Sequence, residues 1–347
     1  MGKKVKLRVK VILVLFFSIS LILAYSVWDL IYGSNIIIES KSKEYLFIPS
    51  DSDFEYVVST IEENKLLENT ESFKWLAGVM NYPNNIHPGR YRLEKGMSNR
   101  ALLLKLRKGD QDPVKIRFER LFSKHELVAL FTKELDCKGE ELRILLNDQS
   151  FLASYGFNSE NVKTLFIPDT YYFDWNTSAH GIIDRMYKEY KKFGDKKRIR
   201  KAGKMNLTPI EVTILASIVE QETYMNDEKP KIAGVYLNRI RKGMKLQADP
   251  TIKHIAREHN IKRVLKRHLK IESPYNTYLH RGLPPGPICI PTKSSINAVL
   301  KNERHSYIFF CAKEDFSGRH NFAVTNKEHV LNARRYHKAL NARKIYK

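Results

Sequence analysis

The sequence predicts an α+β protein carried on a single N-terminal membrane helix, with a small mixed unit ahead of a larger one. Three observations lead there. Five basic residues, Lys3, Lys4, Lys6, Arg8 and Lys10, precede an uncharged apolar run from Val11 to Trp28, extended past Asp29 by Leu30, Ile31 and Tyr32. Short β-type and helical stretches then alternate up to Gly109. Further on, Thr208 to Thr223 reads TPIEVTILASIVEQET, a helix with a well-marked start and a carboxylate near its end.

The apolar run is just long enough to cross a bilayer, which takes about 20 residues, and Trp28 and Tyr32 suit an interfacial belt. Lys and Arg ahead of it, with only Asp29 and Glu39 soon after, predict residues 1–10 as a cytoplasmic tail, 11–32 as a transmembrane helix, and everything beyond as external. The competing reading is a signal peptide cut near Ala24. The run is longer than a usual signal core, however, and no small-x-small pattern precedes a cut, so a retained anchor is favoured.

With 347 residues and 43% apolar composition, the chain can form two or three domains with a real core. Its formal net charge of +22 lies mostly beyond the anchor. In the cytosol such a balance would suggest nucleic acid, but outside a membrane the available polyanions are acidic headgroups and cell-wall polymers. Runs such as Lys191 to Lys204 and Arg257 to Lys270 read as solvated surface. Cys137, Cys289 and Cys311 show no metal-ligand or redox spacing. They read as buried thiols, with a Cys289 to Cys311 bridge as the alternative in an exported chain.

In chain order, Ile36 to Ile38 and Tyr45 to Ile48 read as strands, and Phe54 to Asn64 and Ser72 to Met80 as helices. A turn at His87-Pro88-Gly89 leads to a strand at Tyr91 to Leu93 and a helix from Arg100 to Lys108 ending at Gly109. This defines a compact α+β unit over residues 41–112. The larger domain, 113–347, opens with a strand at Val114 to Glu119, helices starting near Ser123 and Lys138, and an aromatic Pro-Asp turn in Leu165 to Phe173. A helix from Gly181 to Phe193 and a basic linker, 195 to 205, follow. No internal repeat or low-complexity tract is present.

The helix after Thr208 has a capping Thr, Pro209 at its first position and Glu211 to complete a capping box. At about 100° per residue, Ile210, Ile214, Leu215, Ile218 and Val219 share one face, and Glu222 falls inside it. Glu220 is expected to point the other way, beside Thr213 and Ser217. A carboxyl on an apolar face loses hydration, its pKa rises, and it can hold and deliver a proton near neutral pH. The bland alternative is a wet or ion-paired glutamate in a fraying last turn.

Downstream, a helix from Pro230 to Arg241 presents Asn238 and Arg239, and an extended segment from Met244 to Thr251 carries Gln247 and Asp249. Ser273-Pro274-Tyr275-Asn276-Thr277-Tyr278 precedes a stiff Gly-Leu-Pro-Pro-Gly-Pro stretch, and Tyr307 to Ala312 with His320 to Val324 form a hairpin. Tyr275 and Tyr278 offer flat faces for sugar rings, and Asn276, Thr277 and Gln247 offer donors and acceptors for hydroxyl and acetamido groups. The plain alternative for residues 273 to 287 is a turn-rich connection. No metal is expected: no HExxH motif occurs, and His254 and His259 are five apart. Neither a nucleophile elbow nor a phosphate-cradling glycine loop occurs. His320 reads as a pocket residue or a packed hairpin histidine.

At these residues the sequence resembles the MltG/YceG family of membrane-anchored endolytic murein transglycosylases. The resemblance rests on LASIVEQET (215 to 223), IAGVYLNRIRKGMKLQADPT (232 to 251), SPYNTYLHRGLPPGPI (273 to 288), YIFFCA (307 to 312), His320-x-Phe322 and LFIPDTYYF (165 to 173). It implies that the small unit is LysM-like and that the larger domain holds a lysozyme-like catalytic helix. It also implies Glu222 as the catalytic acid, and cleavage of the N-acetylmuramic acid to N-acetylglucosamine bond within glycan strands to leave a 1,6-anhydro end. The expected binding residues are Gln247, Asp249, Tyr275, Asn276, Thr277, His320, Phe322 and Asn238. Expected partners are peptidoglycan strands and the bilayer, with a wall synthase left open and no nucleic acid. No cofactor is expected. A glycan-binding scaffold without turnover stays open as the alternative. Two departures stand out. Lys163-Thr164 replaces the family's Glu-Gly, and Cys289-Ile290-Pro291-Thr292 stands where Asn-Pro-Gly is usual.

Overall fold

The computed structural model describes residues 2–38, 45–258 and 265–343. The chain divides into two compact units. The first holds the chain up to Lys115 together with Glu134–Cys137 and Tyr172–Ser178. The second takes Ile116–Lys133, Lys138–Tyr171 and the chain from Ala179 onward.

The first unit begins with helix α1 (Gly2–Tyr32), in which Leu7–Tyr32 is long and apolar enough to cross a membrane. Its 26 residues would extend about 39 Å at 1.5 Å per residue. The exit end of α1 is tied into the unit. The Asn99 amide donates to the Leu30 carbonyl at 3.0 Å, and the Arg100 guanidinium lies 5.6 Å from the Tyr32 ring.

Strand β1 (Tyr45–Ile48) pairs antiparallel with β2 (Gly89–Arg92), and helices α2 (Phe54–Glu63), α3 (Thr70–Val79) and α4 (Asn99–Lys108) complete the unit. Asp53, Asn69 and Ser98 each cap a helix by accepting a backbone N–H. Gly109 ends α4 in the left-handed region, as its place in the sequence suggests. Ile48, Val57, Phe73, Tyr91, Leu103 and Leu106 are buried without residual exposure. Beside this core lies a closed polar network in which Asn35 donates to Asn99 at 2.7 Å and Asn99 to Ser72 at 2.8 Å.

In the second unit the central helix is α10 (Pro209–Glu222), packed against α11 (Lys229–Arg241) and α13 (Lys293–Leu300). Around them lie α5 (Lys124–Glu134), α6 (Gly139–Leu145), α7 (Gln149–Ala153), α8 (Ala179–Phe193), α9 (Lys196–Gly203), α12 (Asp249–Glu258) and α14 (Asn326–Ala342). Strands β5 (Phe309–Ala312) and β6 (His320–Ala323) form a two-stranded sheet of this unit, and β3 (Val114–Phe118) and β4 (Asp169–Phe173), whose residues are divided between the two units, form another. The mixture of helices with small sheets agrees with the α+β class expected.

Three expectations need correction. Ile36 to Ile38 is not a strand, because Ser34 and Ile36 make only isolated bridges, to Ser98 and Leu67. The basic linker 195 to 205 is largely helix α9: Asp195 caps it by accepting the Arg198 N–H at 2.8 Å, and Ala202 is buried in the core with α10. The cap and the apolar spacing of Ile199 and Ala202 were hidden among lysines. The extended segment from Met244 stops at Ala248, since Asp249 opens α12. His259 lies outside the described residues.

Replacing Asn99 with Leu would leave the Leu30 carbonyl without its side-chain donor and take from the Asn35 amide one of its two acceptors. We expect a loss of about 3 kcal/mol in unfolding stability, read by urea denaturation of the detergent-solubilised protein.

Candidate active site

Helix α10 carries its carboxylates where its start places them. The Thr208 hydroxyl accepts the Glu211 N–H at 3.2 Å and the Glu211 carboxylate accepts the Thr208 N–H at 2.7 Å, closing the capping box read in the sequence. From Val212 to Glu220 every residue is buried, so the helix has no solvent face. The expectation of one apolar face is therefore too narrow.

Glu220 does diverge from Glu222, but into packed protein. Its Oε2 accepts hydrogen bonds from Ser295 Oγ at 2.5 Å, Thr292 Oγ1 at 2.6 Å and the Thr292 N–H at 3.2 Å, with Lys229 Nζ at 3.4 Å. Burial pushes its pKa up, but the two hydroxyls and the lysine outweigh it and hold Glu220 below the usual carboxylate range. It stays charged and ties α10 to the start of α13.

Glu222 meets the opposite environment. It is half-buried, and Tyr236 of α11, itself buried, donates its hydroxyl to one carboxyl oxygen. Desolvation raises the Glu222 pKa to about 7; the Tyr236 bond opposes the rise and the nearby Asp249 charge adds to it. The carboxyl faces a cleft of about 500 Å³. Arg239, Gln247, Asp249, Tyr278 and His320 supply its polar lining, with Phe309 and Phe310 as its aromatic wall.

These groups are held firmly. Arg239 donates to the Ile308 carbonyl at 2.6 Å and the Leu246 carbonyl at 2.8 Å, so a buried cation is used to pin backbone. Gln247 sits at φ of 49° and takes the Thr277 carbonyl as backbone partner, which turns its side chain toward the cleft and the Arg239 guanidinium. Asp249 accepts the Tyr278 hydroxyl at 2.5 Å. His320 is fixed by Glu228, which accepts its backbone N–H and its Nδ1, each at 3.0 Å. Phe309 lies between Arg239, 5.2 Å from its ring, and His329, stacked at 5.1 Å. Burial, then the Arg239 charge, lowers the His329 pKa.

Of the residues expected at the site, the cleft brings together Glu222, Gln247, Asp249 and His320. The others lie elsewhere. Asn238 donates to the carbonyls of His305 and Tyr307, holding the approach to the hairpin. Asn276 is fully buried and donates to the carbonyls of Leu269 and Ile271. Thr277 accepts the Ala248 N–H at 3.0 Å and meets the Thr251 hydroxyl. Phe322 packs on Tyr307 and Phe310 behind the cleft wall. Tyr275 lines a different cavity, as does Lys163, one of the two departures noted above. The other departure includes Thr292, the cap of α13, and Cys289, a buried thiol. Cys289 and Cys311 are not joined, so the bridge held open as an alternative is not formed.

Sequence reasoning missed Tyr236, Phe309, Phe310, Asn326 and His329. Tyr236 carried a usable signal: it follows Ile232 by four residues on α11, yet its hydroxyl needs a polar partner once buried. Asn326 and His329 belong to α14, a helix not foreseen.

A desolvated carboxyl above a polar and aromatic cleft is what a general acid requires, and here it sits on a helical α+β scaffold. The chain belongs to the YceG-like family, which matches residues 46–335. It is 30% identical over 308 residues to an endolytic murein transglycosylase of Bacillus subtilis, covering 84% of each chain. A second relative, the endolytic murein transglycosylase of Streptococcus pneumoniae strain D39, is 25% identical over 342 residues, 89% of this chain and 61% of that one. A crystal structure of a yceG-like protein from Listeria monocytogenes superposes with a TM-score of 0.54 at 28% identity, covering 83% of this chain and 99% of that one.

Two stability measurements follow from the contrast between the glutamates. Glu222 ionises at a higher pH when folded than when unfolded, so the folded state binds more protons between the two values and stability falls as pH rises through that window. Removing the charge in Glu222→Gln should therefore stabilise the protein at pH 8 by about 3 kcal/mol relative to wild type, with little difference at pH 4. Glu220→Gln should do the reverse and lose about 3 kcal/mol at pH 7, because Lys229 would stay buried without its counter-charge. Urea titrations at the stated pH values read both.

Proposed function

We propose that the chain is an endolytic murein transglycosylase in which Glu222 is the sole acid and base. The observation that carries this is the Glu222 carboxyl itself: desolvated, with a pKa of about 7, held by Tyr236 and lining the cleft. In the first step Glu222 gives its proton to the oxygen linking N-acetylmuramic acid to N-acetylglucosamine, and the bond from that oxygen to the muramyl C1 breaks. The ionised Glu222 then takes the proton of the muramyl C6 hydroxyl as its oxygen bonds to C1. The product is a 1,6-anhydro end, and no water is consumed.

Intramolecular attack explains why one carboxyl suffices. The C6 hydroxyl is already beside C1 and needs no positioned water, and proton transfer by a placed side chain contributes about 10² to 10⁴ in rate. Tyr236 is the positioning residue, since its hydroxyl stabilises the anion formed after the first transfer. Asp249, fixed by Tyr278, is suited to hold an acetamido N–H, and Gln247 to hold a sugar hydroxyl. His320 presents a ring oriented by Glu228 to the same strand.

The remaining assignments fit this activity. Residues 1–10 form a cytoplasmic tail, 11–32 span the cell membrane, and the rest lies on the outer side, where the basic surface meets anionic wall and lipid. The unit over 41–112 is a LysM-like glycan binder, and 113–347 is the catalytic domain. A wall synthase is the natural neighbour for the anchor helix.

Full-length protein incubated with purified peptidoglycan should yield anhydro ends by mass spectrometry, and Glu222→Gln should lower that yield by at least 10³ while still binding strands. Wild-type kcat/KM should be flat on the acid side and fall about tenfold per unit above pH 7, as the proton is lost. Reducing ends in place of anhydro ends would mean water attack, with Asp249 as the second carboxylate. Strand binding without any cleavage would mean a scaffold.

A further inference from the structure

Arg239 of α11 lines the acid cleft although it is only 8% exposed. A guanidinium carries five N–H donors and no acceptor, and here the donors are unevenly used. Nε donates to the Ile308 carbonyl, and Nη1 to the carbonyls of Lys245 and Leu246 and to Gln247 Oε1. Nη2, which carries the other two N–H groups, has no hydrogen-bond partner among the described residues, and no carboxylate among them forms an ion pair with Arg239. Nor is Nη2 sealed inside protein: among the described residues of the second unit, the buried nitrogens without a partner are Arg198 Nε and His329 Nδ1. The two remaining donors of Arg239 therefore open onto the cleft.

The group has little room to turn them elsewhere. Its bonds reach two separate segments, at Lys245 to Gln247 and at Ile308, and the Phe309 ring lies 5.2 Å from the guanidinium carbon. Rotating Nη2 toward protein would break bonds to those carbonyls. A strand seated over Glu222 shuts water away from Nη2, and a charged donor left unmatched in a covered site carries its full desolvation penalty. The strand must offer an acceptor at that point.

Sugar hydroxyls both donate and accept, whereas a carbonyl oxygen only accepts and so matches a group that only donates. In an N-acetylated glycan that oxygen belongs to the acetamido group. The acetamido N–H needs an acceptor in turn, and Asp249 supplies one in the same cleft, its carboxylate fixed by the Tyr278 hydroxyl. Gln247, bonded to Arg239 at 3.3 Å, stands two residues before Asp249, so donor and acceptor are close neighbours. We infer that Arg239, through Nη2, binds the carbonyl oxygen of the acetamido group whose N–H meets Asp249, which makes the two residues a reader of N-acetylation. The cleft then favours N-acetylated strands over strands that lack this oxygen. The inference rests on the function proposed above, because it takes its ligand from the same glycan.

The test isolates the carbonyl oxygen without changing charge. De-N-acetylated glycan strands are re-acylated in two batches, one with acetyl groups and one with thioacetyl groups, which keep the N–H and the shape but put sulfur, a poor acceptor, in place of oxygen. Full-length Glu222→Gln protein in detergent, chosen to keep the strands intact, should bind the acetyl batch about tenfold more tightly by calorimetry, a difference of about 1.4 kcal/mol. Arg239→Lys in the same background keeps the charge but has no second nitrogen to offer, so the ratio should fall to about one. A merely structural loss would weaken both batches alike and keep the ratio. The preference should be the same at pH 5 and pH 8, since a guanidinium stays charged throughout. The strand comparison and its pH dependence need no change at Arg239, so they decide even if that variant does not fold. Equal binding of the two batches overturns the proposal, as does a tenfold ratio that survives Arg239→Lys. A preference that vanishes at pH 8 would assign the donor to a histidine of the cleft and overturn it as well. Cleavage by wild type without an acetyl preference refutes the Arg239 assignment and leaves the acid reading standing; an acetyl preference without cleavage does the reverse.

Discussion

The hydrogen bond from Tyr236 to Glu222 joins α10 to α11 where a half-buried carboxyl lines the cleft, and the acidity of that carboxyl depends on it. Without that donor the loss of water would act unopposed, the carboxyl pKa would stand higher still, and the group would hold its proton too tightly to give it up. Without burial, it would be ionised and could not give one. The site balances these two effects, and the balance is set by packing. Tyr236 is itself buried against the Phe310 ring, at right angles and 5.8 Å away, so its hydroxyl has little freedom to leave the acid.

Two glutamates two residues apart show how strongly environment governs identity. Glu220 and Glu222 share a helix and a local sequence, yet hydroxyls and a lysine keep the first charged while loss of water keeps the second near neutrality. Glu220 can therefore serve as a fixed anion that anchors α13. This division of labour needs a helix buried on every side, because a solvent face would return both groups to ordinary acidity.

Much of the scaffold was legible in the sequence, for identifiable reasons. The capping box at Thr208, the proline at the first helical position and the glycine after Lys108 are local signals, and each marks a real boundary. Helical geometry separated Glu220 from Glu222, which do meet different surroundings, but a helix buried all round gave it no single inward side to assign. Long-range features were not legible. Asn276 and Thr277 look like sugar-binding groups, but each is spent on backbone, bracing the loop and the turn into α12. Arg239 looks like a surface charge beside Arg241 and Lys242, yet it is buried and pins four acceptors in two segments. Helix α9 was obscured because lysines mask the apolar spacing that seats Ala202. In each case the partner lies far along the chain or off the local pattern, where a residue-by-residue reading has no purchase.

The apolar helix at the N-terminus does not end in a slack tether. Its last turn is bonded to Asn99 and covered by Arg100, and Ile31 packs against the hydrophobic core of the first unit. Mounted in this way the helix has no leash: were it set in a bilayer, its rotation or tilt would be transmitted to the fold that receives it through the hydrogen bonds of Asn99 and Asn35.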